Sequence, residues 1–98
     1  MARTFEQGEE VIFEVIFYSD RLKANPVDPN TVILEIQKPN GAIVNPTVSA
    51  NGARPANLGK FIAQYIVADY GDYDWRWETN NPLFIRQGTI KVNPDLVV

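Results

Sequence analysis

Apolar and polar residues alternate with period two along most of this chain, and that rhythm constrains the fold more than any other feature. In "EEVIFEVIFYSD" (residues 9–20), Val11, Phe13, Val15 and Phe17 recur at every second position. "NTVILEIQKP" (30–39), "GKFIAQYIVAD" (59–69), "YDWRWET" (73–79) and "FIRQGTIKV" (84–92) keep the same rhythm. Successive side chains of a strand point to opposite faces, so each run predicts a strand with one buried face. A short "RTFEQ" (3–7) is expected to pair at the start, and "GAIVNPTVS" (41–49) to form a weaker strand that Pro46 confines to a sheet edge. No segment of about twelve residues carries a helical apolar stripe.

Seven prolines and six glycines, many beside Asn, break the chain roughly every ten residues. "KPNG" (38–41) reads as a tight hairpin turn with Asn40 and Gly41 at positive φ. The loop at 21–30 carries two prolines, and the small, polar residues 50–59 predict a mobile loop. This pattern predicts an all-β chain: an immunoglobulin-like β-sandwich of about seven strands in antiparallel sheets, forming one domain over residues 1–98. The expected core comprises the alternating residues of the first long strand, Val32, Leu34 and Ile36, Phe61, Ala63, Tyr65 and Val67, Tyr73, Trp75 and Trp77, and Ile90 and Val92.

The composition narrows the chemistry. The chain has neither cysteine nor histidine, so thiol nucleophiles, thiolate metal sites and the commonest general base are excluded. Ser19 and Ser49 therefore lack an imidazole to activate them, and adjacent Glu9 and Glu10 point to opposite faces. No catalytic residue and no cofactor is expected. A net charge of −3 with no basic run argues against nucleic acid as a partner. "MARTFEQGEE" has no apolar signal-peptide core, and no apolar run approaches the roughly 20 residues of a membrane helix, so a soluble chain without membrane partners is expected.

The densest stretch is "DYGDYDWRWE" (69–78). The spacing Asp69-x-Gly71-x-Tyr73 fits a tyrosine corner, in which the phenol bonds to backbone a few residues upstream. Gly71 would make the turn and the Asp69 side chain would cap it. Trp75 is expected to be buried, and Trp77, nearer the strand end, to be the more exposed of the pair. Asp74, Arg76 and Glu78 would form a solvated charge ladder. Asp69, Asp72 and Asp74 could in principle ligate calcium, but they lie in no EF-hand loop and alternate along a strand, so no metal is expected. A carbohydrate-binding or adhesion module would instead present Trp77, Tyr70 and the 50–59 loop to a glycan.

The outward faces are more apolar than a one-sided sheet needs. Ile12, Ile16 and Tyr18 stand opposite the core face of the first long strand, and Ile33, Ile62 and Ile66 also fall outward. Contiguous exposed apolar surface marks protein contact, so Ile12, Ile16, Tyr18 and Ile33, with the tail residues Leu96, Val97 and Val98, are the candidate interface; the alternative is that a loop covers the isoleucines or a β-bulge shifts their register, and that the tail is a frayed terminus.

The chain resembles a family of small phage proteins of about a hundred residues, encoded among the head and tail morphogenesis genes of tailed phages. Their pattern is a Gly-acidic start, a "VDPxTVxLxVxxPdG" block, a Gly-aromatic strand, "GxWxxRWE" and a final "xxGxFxV". Residues 8–9, 27–32, 39–41, 59–61, 71–73, 76–78 and 88–90 match. Asp74-Trp75 ahead of Arg-Trp-Glu, the insertion at 50–59 and the outward isoleucines depart from it. The resemblance implies an immunoglobulin-like (macroglobulin-like) sandwich. It also implies a virion protein, made in the host cytoplasm, that decorates or cements the capsid or serves the head–tail junction. Its partners would be the major capsid protein or neck and tail proteins, with multiple copies on the particle.

Overall fold

The computed structural model describes residues 3–19 and 25–94, and these form eight strands without a helix. They are β1 (Arg3–Glu6), β2 (Glu10–Ile16), β3 (Thr31–Gln37), β4 (Ile43–Val44), β5 (Val48–Ala50), β6 (Lys60–Ile66), β7 (Gly71–Asn80) and β8 (Ile85–Asn93). Two sheets result, ordered β1-β8-β7-β3-β4 and β2-β6-β5. All pairs are antiparallel except β1 with β8, which run parallel from Arg3↔Ile90 to Glu6↔Asn93. The chain is thus an all-β two-sheet sandwich, and its strand order is compatible with the immunoglobulin-like arrangement.

The predicted edge strand at 41–49 divides in two. β4 pairs with β3 in the larger sheet, whereas β5 pairs with β6 in the smaller one. Pro46 lies in the crossing segment, where the chain leaves one ladder and needs no backbone donor. In the turn before β4, Gly41 alone takes positive φ, at 90°. Asn40 instead accepts the Ala42 N–H through its side chain at 2.9 Å.

The inner faces interdigitate as the alternation requires. Val11, Phe13, Val15 and Phe17 are buried from the small sheet, and Leu34, Ile36, Tyr73, Trp77, Ile90 and Val92 from the large one. Three edge-to-face aromatic pairs bridge the sheets: Phe13 with Trp75, Phe17 with Trp77, and Tyr65 with Tyr73, at centroid separations of 6.4, 6.5 and 6.4 Å. Such pairs add about 0.5–1.5 kcal/mol each beyond the area they bury. They link the two sheets of a chain that has no cysteine to form a disulfide.

Candidate protein-binding surface

At one pole, the β6–β7 corner is closed by Tyr73. Its hydroxyl donates to the Asp69 carbonyl oxygen at 2.8 Å and accepts from the Asp69 N–H at 3.2 Å. The Asp69 carboxylate does not cap this turn; it turns outward to Lys38 Nζ at 3.4 Å. The main chain already satisfies the corner, so the carboxylate is left for the nearest cation. Gly71 adopts φ +126°, and a Cβ there would lie 2.9 Å from the Pro39 ring. Burial raises the Tyr73 hydroxyl above the usual tyrosine pKa, opposed by its bond to the Asp69 backbone.

The two tryptophans reverse the expected order. Trp77 is buried at 2% exposure, whereas Trp75 is half-buried. Position along β7 does not decide this. Trp77 lies beneath an aromatic cap in which Phe17 packs on Phe61 and Phe84. Trp75 leans over Gly88 of β8, where an added Cβ would fall 2.6 Å from the indole. Among the described residues β1 pairs with β8 from Ile90 onward, and none of them forms a strand beside the Gly88 side of Trp75. Gly88 opposite Trp75 was the sequence signal for this placement, since an indole can lie flat on backbone only where no Cβ intervenes. With Trp77 buried and Tyr70 exposed at the far pole from residues 50–59, the three features of a glycan site do not converge.

The loop at 50–59 is tied down. Arg54 Nε meets Asp28 Oδ2 at 2.7 Å, and Arg54 donates further to the Gly52 and Lys60 carbonyls at 3.0 and 2.9 Å. Its guanidinium lies 5.1 Å from the centroid of the Phe61 ring. The other Asp28 oxygen accepts the Gly59 N–H at 2.6 Å, and the Arg54 hydrogen bond lowers the Asp28 pKa from its ordinary value. Gly59 has φ +84°, and a Cβ there would meet the Phe17 carbonyl oxygen at 2.6 Å. Sequence reading missed this network because its partners lie 26 and 31 residues apart.

On the outer face of the small sheet, Glu10, Ile12, Glu14 and Ile16 alternate along β2, opposite Ile66, Gln64, Ile62 and Lys60 of β6. Ile12, Ile16 and Ile66 are exposed, and Ile62 is half-buried. Across the large sheet, Ile33 and Ile85 flank Glu78 in one row, with exposed Leu83 beside it. Tyr18 does not continue the outward row of β2. The strand ends at Ile16, and Tyr18 bridges to Pro26 and is half-buried. Leu96, Val97 and Val98 lie outside the described residues.

The remaining carboxylates of the 69–78 stretch diverge. Asp74 accepts a hydrogen bond from Thr89 Oγ1 at 2.9 Å, and Glu78 pairs with Arg76 Nη2 at 3.2 Å. Among the described residues no group of three or more acidic side chains is placed to hold a metal ion.

Among the described residues β2 is the lateral edge of its sheet, and none of them pairs with the outer side of β8 from Ile85 to Thr89. Between these edges runs an open groove of about 370 Å³, lined by Glu14, Ile16, Tyr18, Trp75, Trp77 and Arg86. The arrangement offers apolar side chains, a free strand edge and charges at a rim: the chemistry of binding protein surface. No protein-family model matches the chain, and no curated protein matches it.

Proposed function

We propose that this protein is a non-enzymatic structural component of a tailed-phage virion: a capsid decoration or cement protein, or a head–tail accessory protein, acting by protein–protein contacts. The observation that carries the reading is the row of Ile12, Ile16 and Ile66, exposed on the outer face of a sheet whose inner face already fills the core. Ile33, Ile85 and Leu83 extend the pattern to the other sheet. The resemblance to phage morphogenesis proteins supplies the setting. On a symmetric particle each copy meets the same lattice, so many modest apolar contacts sum into firm attachment. The partners are then the major capsid protein or the neck and tail proteins, and the protein resides in the virion.

Mass spectrometry of purified virions tests this, with copies counted against the major capsid protein. On the order of hundreds of copies identifies decoration, and about six or twelve identifies the neck or tail, following the symmetry of each. Absence of the chain from particles sinks the proposal. Ile16→Asp is expected to fold normally and to reduce incorporation.

A further inference from the structure

The main chain of β2 carries its own docking information. Phe17 N–H donates to Gly59 O at 2.9 Å and Val67 N–H to Glu9 O at 3.1 Å, so the odd-numbered residues form the hydrogen-bonded pairs with β6. Glu10, Ile12, Glu14 and Ile16 therefore turn their N–H and C=O groups to the opposite side, where no described residue pairs with them. That side opens onto the groove floored by half-buried Trp75.

We propose that this edge captures an extended, basic segment of a partner protein as an added antiparallel strand. The inference deepens the protein-contact reading and rests on it, but needs no particle. Main-chain bonds to Glu10, Ile12, Glu14 and Ile16 hold the segment in register. Its outward side chains stand directly opposite those of β2, so lysine or arginine meets Glu10 and Glu14. Its alternate, inward side chains lie over Trp75 and are apolar. Arg86 lines the same groove from β8.

Charge selects this occupant over a second copy of the chain. Self-pairing of β2 in registers that use the free groups sets Glu10 or Glu14 opposite or diagonal to the same residues of its twin. Four carboxylates then gather on one face with no cation on β2 to offset them. Edge charges of this kind oppose self-association and leave a complementary strand free to bind.

The test is a titration of the whole protein with a blocked peptide of about ten residues alternating lysine and valine, a length that matches a strand. Expected are saturable binding, shifts of the Ile12 and Glu14 amide resonances, and a change in Trp75 fluorescence. N-methylation of the lysine amides keeps the charge but blocks the edge donors, and is expected to weaken binding at least tenfold. N-methylation of the valine amides is expected to leave it intact. A glutamate–valine peptide should bind at least tenfold more weakly, and Glu14→Lys should reverse that preference. Ile12→Pro, which removes an outward N–H and no internal bond, should weaken binding at least tenfold. Equal affinity for the N-methyl-lysine peptide, resonance shifts confined to other strands, or dimerisation through β2 overturns the proposal. Absence of the chain from virions, with the titration as expected, overturns the virion reading alone.

Discussion

Replacing Tyr73 with phenylalanine removes one oxygen and tests the corner directly. The ring is fully buried, and its hydroxyl makes both of its bonds to the backbone of Asp69. A neutral hydrogen bond contributes about 0.5–1.5 kcal/mol net, and water can reach the exposed corner to replace part of the loss, so Tyr73→Phe is expected to cost about 1–2 kcal/mol. For a domain of this size, about 1.5 kcal/mol lowers Tm by roughly 6–12 °C. Tyr65→Phe is the control: that hydroxyl has no hydrogen-bond partner among the described residues, and the change should be near neutral. The ionisation adds a second signature. Burial raises the Tyr73 pKa in the folded state, while the unfolded chain loses this proton near pH 10. Its contribution is therefore intact below about pH 10 and is lost as pH rises through the folded value. The gap between wild type and Tyr73→Phe should narrow from pH 9 to pH 11. Urea unfolding across that range reads both effects. A variant within about 0.3 kcal/mol of wild type at pH 7, or a gap that does not change with pH, refutes the reasoning.

The other perturbations address the opposite pole and the core. Gly59→Ala forces a side chain into positive φ against the Phe17 carbonyl and should cost about 1–3 kcal/mol, measured by denaturant midpoint. Asp28→Asn should cost about 1–2 kcal/mol at pH 7, after allowing for the partial exposure of the pair. Because the folded pKa of Asp28 is lowered, its stabilisation is present above about pH 4 and lost as pH falls below it. The difference from wild type should therefore narrow in urea melts as pH falls from about 4 through the lowered folded value. Trp77→Ala should cost about 3–5 kcal/mol and Trp75→Ala less. Acrylamide should quench Trp75 and spare Trp77, and the reverse order would contradict the burial of the two indoles.

The tyrosine spacing and the inner and outer faces were legible in the chain. Val11 to Phe17 face inward and Ile12 and Ile16 outward because side-chain direction on a strand depends only on parity. The corner was legible because both ends of its hydrogen bonds lie within five residues. The surroundings of each strand were not legible. Trp75 and Trp77 share one face and one chemistry, yet Phe17, Phe61 and Phe84 enclose one, while the other lies against the backbone of Gly88 and is half-buried. Asp28 and Arg54 gave no local sign of each other, and neither did the placement of β1 in the larger sheet, with no described strand on the outer side of β2. By itself the sequence determined strand identity, facing and the corner, which are properties of neighbouring residues. The tertiary structure decided sheet membership, the open edge and which aromatic meets solvent, because these depend on segments that are distant in the chain and meet only on folding.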